Sequence, residues 1–92
     1  MVEIVSVYEV EDFAHWKRLW DENRTAHREG GIRRQRLHVH PTDATRFVVV
    51  RRFEDLDRAR SYLASPERRE RMREGRVVRC EDDLPEAASE PR

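Results

Sequence analysis

Three stretches decide the fold: Ile32-Arg33-Arg34-Gln35-Arg36-Leu37-His38-Val39-His40, Pro41-Thr42-Asp43-Ala44-Thr45, and Phe47-Val48-Val49-Val50-Arg51-Arg52-Phe53. The first alternates. In an extended chain Gln35, Leu37 and Val39 share one face, and Arg34, Arg36, His38 and His40 share the other. The third is β-branched and aromatic, the composition of a strand. Turn-forming residues lie between them. Together they predict an antiparallel hairpin with a loop of about five residues.

Upstream, Ile4-Val5-Ser6-Val7-Tyr8-Glu9-Val10 reads as another strand. Asp12 then stands where an N-cap is needed, since its carboxylate can accept from the orphan N–H groups of a helix start. Phe13, Trp16, Leu19, Trp20, Asn23 and His27 recur at three- and four-residue spacing, which predicts one helix from about 13 to 29. Gly30-Gly31 ends it through the left-handed conformation that glycine adopts freely. Downstream, Glu54-Asp55 puts acid at a helix start, and Leu56, Ala59, Tyr62 and Leu63 form its apolar stripe. Ser65-Pro66 interrupts that helix and begins a shorter one, anchored only by Met72 and closed by Gly75. Val77, Val78 and Cys80 predict a short last strand. The order is β-α-β-β-α-β, a ferredoxin-like α+β protomer with an antiparallel sheet and two helices on one face. Residues 1–80 are expected to form this domain, and 81–92 a loosely ordered acidic tail.

Ninety-two residues make one domain. Charged residues are 41% of the chain and apolar ones 37%, with 19 basic and 19 acidic groups and no net charge. That balance argues against a nucleic-acid binder. A chain this short buries only about 60–65% of its unfolded surface, so a second copy packed against the other sheet face is expected to complete the core. No apolar run reaches membrane-spanning length. The opening Met1-Val2-Glu3-Ile4 has no basic leader, so no signal peptide is expected. A single cysteine, Cys80, fits a reducing compartment, and the cytoplasm is the expected location.

The charges are segregated. Residues 1–23 carry two basic and six acidic groups, net −4, and residues 24–52 carry eight and two, net +6. The hairpin is therefore basic around Arg33, Arg34, Arg36, Arg51 and Arg52, either an anion-attracting surface or a charged, aggregation-resistant sheet edge. No glycine-rich phosphate loop, paired-cysteine site or nucleophile elbow is present. His38 and His40 project to one face about 7 Å apart but lack further metal ligands, so no metal is expected. One of them could serve as a general base. Trp16 and Trp20 are core residues or a flat wall for an aromatic ligand. Asn23 and His27 continue their stripe, at an exposed helix end or lining a wet cavity to which Tyr8 and Ser6 would also contribute.

The chain resembles the dimeric α/β-barrel superfamily, in particular its antibiotic-biosynthesis-monooxygenase-like and cyclase-like small proteins. The resemblance rests on Glu11-Asp12-Phe13-Ala14-His15-Trp16-Lys17 with Trp20-Asp21, on Phe47 through Ala59, and on Tyr62 through Met72 with its Ser-Pro break. It implies a homodimeric α/β barrel with a pocket between sheet and helices. It also implies oxidation or cyclisation of an aromatic, polyketide-like molecule without a cofactor. On that resemblance Tyr8, Trp20 and Asn23 would bind substrate, His38 or His27 would remove a proton, and Arg36 would stabilise the resulting enolate or phenolate. The alternatives are a non-catalytic dimer that binds a small acidic ligand or a protein partner, and a haem protein with His27 or His38 as axial ligand.

Overall fold

The structure, a computed structural model, describes residues 1–83. Strand β1 (Val2–Val10) leads to helices α1 (Phe13–Glu22) and α2 (Arg24–Glu29). The hairpin of β2 (Ile32–His40) and β3 (Asp43–Phe53) follows, then α3 (Leu56–Leu63), α4 (Pro66–Glu74) and β4 (Val77–Asp83). The four strands form one antiparallel sheet in the order β2-β3-β1-β4. This is the ferredoxin-like α+β layout expected from the alternation.

Helices α1, α3 and α4 start where a side chain satisfies an orphan N–H group, whereas α2 has no side-chain cap. Asp12 accepts from the His15 amide at 3.3 Å, Asp55 from that of Arg58 at 2.9 Å, and Ser65 from that of Arg68 at 3.2 Å. Three boundaries differ from expectation. The first helix is broken at Asn23, whose side-chain Nδ2 bonds back to the Leu19 carbonyl at 2.9 Å, the local competition that makes Asn a poor helix interior. The hairpin loop is Pro41-Thr42 rather than five residues. Asp43 Oδ1 accepts from the Thr45 amide and hydroxyl, and so stiffens residues 43–45 as strand. Gly75 closes α4 as expected, and the left-handed residue after it is Arg76 (φ 56°). Gly75 is small for another reason: a Cβ there would lie 2.9 Å from Trp16 Cδ1. Finally, β4 runs to Asp83, three residues into the expected tail. The rest of that tail, residues 84–92, lies outside the described residues.

The inner sheet face packs under the helices as two apolar clusters. One joins Ile4, Ile32, Phe53, Ala59 and Tyr62. The other joins Tyr8, Val10, Trp16, Phe47 and Val49. Between them lies a polar belt with one residue from each strand: Gln35 on β2, Arg51 on β3, Ser6 on β1 and Asp82 on β4. Strand register sets Gln35 opposite Arg51, and Ser6 opposite both Val49 and Asp82. The outer face carries a central stripe of Val5, Val7, Val48 and Val50. Arg36 and His38 stand opposite Val50 and Val48 on one side of it, and Asp83 and Glu81 opposite Val5 and Val7 on the other.

Candidate functional site

Burial of Arg51 organises the site. Its neighbours Phe47, Val49 and Phe53 at two-residue spacing all face inward, and period-two geometry carries Arg51 with them. The side chain is 2% exposed. Its Nη2 donates to the Tyr8 hydroxyl at 3.0 Å and Nη1 reaches Ser6 Oγ at 3.4 Å. The guanidinium lies 5.8 Å from the Tyr8 ring centroid and 5.4 Å from that of Tyr62, cation–π distances. Among the described residues Arg51 forms no ion pair, and its Nε has no hydrogen-bond partner. Burial pulls its proton affinity down, but the two phenols outweigh that, so it stays charged.

Arg68, on α4, is the second buried cation. Its Nη1 and Nη2 donate to Asp82 Oδ2 and Oδ1 at 2.9 and 2.8 Å, a bidentate pair. Ser6 Oγ donates to the same carboxylate at 2.5 Å. Burial opposes both charges, but the hydrogen bonds prevail: Arg68 is held above and Asp82 below its ordinary pKa. Cys80 lies 3.5 Å from Arg68 Nη2. Burial and the nearby Asp82 carboxylate raise its pKa and keep it a thiol. The belt therefore holds two guanidiniums and one carboxylate.

Above the belt is a cavity of about 40 Å³ whose lining includes Tyr8, Trp20, Asn23, His27, Arg51 and Arg68. A second cavity of about 220 Å³ adjoins it, and Trp20 and His27 line both. Four buried side-chain polar atoms lack partners among the described residues: Trp20 Nε1, Gln35 Oε1, Arg51 Nε and Arg68 Nε. Three are donors, and all three belong to residues of the inner cavity. Buried donors without acceptors are costly, so this cavity is matched to an oxygen-rich, electron-rich group.

His27 is 4% exposed. Burial, and then the charges of Arg51 and Arg71, lower its pKa from 6.5 to about 4, so it is neutral at pH 7. Its Nδ1 lies 3.0 Å from Gln35 Nε2. With the amide turned the other way, the orphaned Oε1 would accept from Nδ1–H and leave ring Nε2 as the acceptor. The lowered pKa has a consequence for stability. Unfolded chains hold the His27 proton below about pH 6.5, whereas the fold holds it only below about pH 4. The His27 contribution is complete above pH 6.5 and is lost as pH falls toward 4. It amounts to at most about 3 kcal/mol, less whatever solvent screens at the cavity mouth. His27→Gln should therefore show a shallower loss of urea resistance between pH 7 and pH 5 than the parent chain; identical slopes would contradict this.

The structure thus brings Tyr8, Trp20, Asn23 and His27 together around one cavity. It does not bring Arg36 and His38 to them. Both are exposed and point from β2 to the outer face, because Gln35 and Leu37 occupy the inward positions of that strand. Arg51, read from the sequence as part of a basic surface, is instead buried at the centre. Arg68 anchors a helix that offered only Met72 as an apolar contact. Among the described residues no group of three His, Cys, Asp or Glu side chains is placed to hold a metal ion, and no helix is long and apolar enough to cross a membrane.

A ferredoxin-like sheet with helices on one face defines the class of the molecule, and solved structures share that fold. SnoaB of Streptomyces nogalater, a cofactor-independent oxygenase, superposes with a TM-score of 0.74 at 19% identity, over 89% of this chain and 87% of that one. An antibiotic biosynthesis monooxygenase superposes at 0.72 and 13% identity, over 91% and 95%. A Deinococcus radiodurans protein assigned to the same group superposes at 0.71 and 16%, over 90% and 88%. The resemblance drawn from the sequence thus holds at the level of fold. No family model and no curated protein matches the chain.

Proposed function

We propose that the protein is a small cytoplasmic, homodimeric enzyme that deprotonates an aromatic or polyketide-like molecule and holds the resulting enolate or phenolate in the inner cavity. The carrying observation is the surplus of buried positive charge, two guanidiniums against one carboxylate, beside a neutral imidazole. Neutral His27 takes the proton. Arg51, with Trp20 Nε1, receives the developing oxyanion, donors fixed in place before the charge appears. An anion at Arg51 also offsets one of the charges that depress His27, so substrate binding makes the base stronger. Asn23 and Tyr8 orient the substrate, and its rings lie in the outer cavity against Trp20. The carbanion then adds to dioxygen, and loss of water from the hydroperoxide leaves a ketone with no electrons supplied from outside. Where internal attack is faster, the same site is a cyclase. The likeness to a cofactor-independent oxygenase supports the first outcome.

Oxygen uptake with an anthrone-type substrate tests this. Turnover is expected in the parent chain and a loss of roughly 100-fold or more in His27→Ala. Unchanged turnover in His27→Ala removes His27 as the base. One observation favours a second reading, a binder of a small acidic ligand. The inner cavity, at about 40 Å³, is well below the roughly 300 Å³ of ordinary ligand pockets. A thermal shift with acids and no oxygen uptake on any enolisable aromatic would select it.

The homodimer rests on the outer sheet face. Val7 is 49% exposed there, at the centre of a valine stripe between a basic edge and an acidic one. Face-to-face packing of two copies covers that stripe, and it places Arg36 and His38 at the interface rather than in the cavity. Val7→Glu should convert a dimer into a monomer in light scattering at micromolar concentration, since it buries a charge among valines and opposite Glu81. A parent chain that is already monomeric there defeats the proposal.

A further inference from the structure

The outer cavity has a charge pattern of its own. Arg24, Arg28, Arg33 and Arg34 ring it, Trp20 and His27 close its inner end, and no Asp or Glu is among its lining residues. Arg24 is drawn toward Asp21 at 3.6 Å. Arg28, Arg33 and Arg34 make no ion pair with any described residue, whereas Arg36, Arg46, Arg52, Arg58 and Arg73 all have acidic partners. Arg28, at the end of α2, and Arg33, at the start of β2, therefore border a concavity of about 220 Å³ without an acidic partner among the described residues; Arg34 lines it too, but its register opposite Arg52 sends its side chain to the outer sheet face. Two orphaned polar atoms, Trp20 Nε1 and Gln35 Oε1, belong to its lining.

We infer that the outer cavity recognises an anionic group on the substrate, a carboxylate or a phosphate, held by Arg28 and Arg33 while the attached ring lies on Trp20 and points toward the inner cavity. This rests on the reading of the inner cavity as the reaction site, and it narrows the substrate to an aromatic acid or ester phosphate. Guanidinium forks suit both oxyanions, which they bind through paired N–H bonds. The arrangement separates two tasks. The exposed arginines draw in and orient the anion over a screened, salt-sensitive range. The buried Arg51 is left for the charge that develops during reaction.

Titration calorimetry on the full chain tests the inference with three probes of one ring system: 2-naphthoate, 2-naphthyl phosphate and neutral 2-methoxynaphthalene. Both anions are expected to bind at least about tenfold more tightly than the neutral probe, and to weaken as salt rises from about 0.02 to about 0.2 M. The ratio of anion to neutral affinity should fall at least about tenfold in Arg28→Gln/Arg33→Gln; both positions are exposed, and an unchanged melting temperature verifies the fold. A phosphate preferred over the carboxylate by about tenfold or more names the phosphate as the natural group; equal affinity names the carboxylate. Equal binding of the neutral probe, or an unchanged ratio in the double variant, overturns the inference. Selective anion binding that the double variant abolishes, with no oxygen uptake on any enolisable substrate, defeats the reaction and leaves this site standing. Oxygen uptake on a neutral anthrone with no anion preference does the reverse.

Discussion

Asp82→Ala should destabilise the fold by about 3 kcal/mol, a large share of what holds a domain of this size together. The Asp82 carboxylate accepts both terminal nitrogens of Arg68 and the hydroxyl of Ser6. The Arg68 side chain is 6% exposed and that of Asp82 20%. Removing the carboxylate strands a guanidinium under α4, beside Arg51, which is already a cation without an ionic partner. Breaking such a pair is typically worth about 3–5 kcal/mol, and the partial exposure of Asp82 puts this case at the lower end. Replacing both partners by apolar groups removes the stranded charge as well, so Arg68→Met/Asp82→Leu should recover most of the loss. Urea denaturation at pH 7 and fixed protein concentration measures all three chains. A double variant no more stable than the single would mean that the pair itself, not the orphaned charge, dominates. The pH dependence has a defined sign. The folded Asp82 pKa is depressed, so its contribution is present above the ordinary carboxylate range and is lost as pH falls through the folded value.

The same pair explains what the sequence concealed. Element order was legible because alternation and three-to-four spacing are backbone periodicities; the boundaries that shifted, the break at Asn23 and the early start of β3 at Asp43, were set by local side-chain bonds. Asp12, Asp55 and Ser65 were readable as caps because capping needs only a local oxygen. The errors fell where a polar residue does tertiary work. Glu81, Asp82 and Asp83 read as tail because acid is usually solvated, yet the buried Arg68 holds Asp82 inside and the strand continues with it. In a chain with eighteen arginines, Arg51 and Arg68 look like the exposed ones. Arg51 had one signal: its position in the inward series Phe47, Val49, Arg51, Phe53. Read by period two instead of by charge, it would have been placed in the core. Arg68 offered no such pattern, since α4 has almost no apolar face. His38 and Arg36 attracted attention as chemistry on a strand, but the alternation that placed Gln35 and Leu37 inward already sent them outward.

Arg51→Met should uncouple function from stability. Most buried polar groups support the fold, and their loss lowers both. Arg51 is different because its charge has no carboxylate partner among the described residues. It is sustained by two aromatic rings, a phenolic hydroxyl and a serine oxygen, and its Nε is bonded to nothing. A methionine of similar length keeps the packing between Ile4 and the two tyrosines and removes a desolvated ion. Apolar replacement of buried charge is often neutral or stabilising by about 1–4 kcal/mol. Against this stand the Tyr8 hydroxyl and Ser6 Oγ, which each lose a donor worth about 1 kcal/mol. Ser6 keeps its bond to Asp82. The melting temperature should therefore hold or rise. Turnover should fall about 100- to 1,000-fold, the usual effect of deleting one preorganised oxyanion donor, and His27, relieved of a neighbouring cation, should titrate closer to its ordinary 6.5. An NMR titration of the His27 ring reads that shift whether or not the substrate is known. Arg51→Lys keeps the charge but not the fork, and should restore the low His27 pKa with only part of the turnover. A large drop in stability on Arg51→Met, with the His27 titration unmoved, would make Arg51 a structural cation and take from the cavity the charge on which its chemistry rests.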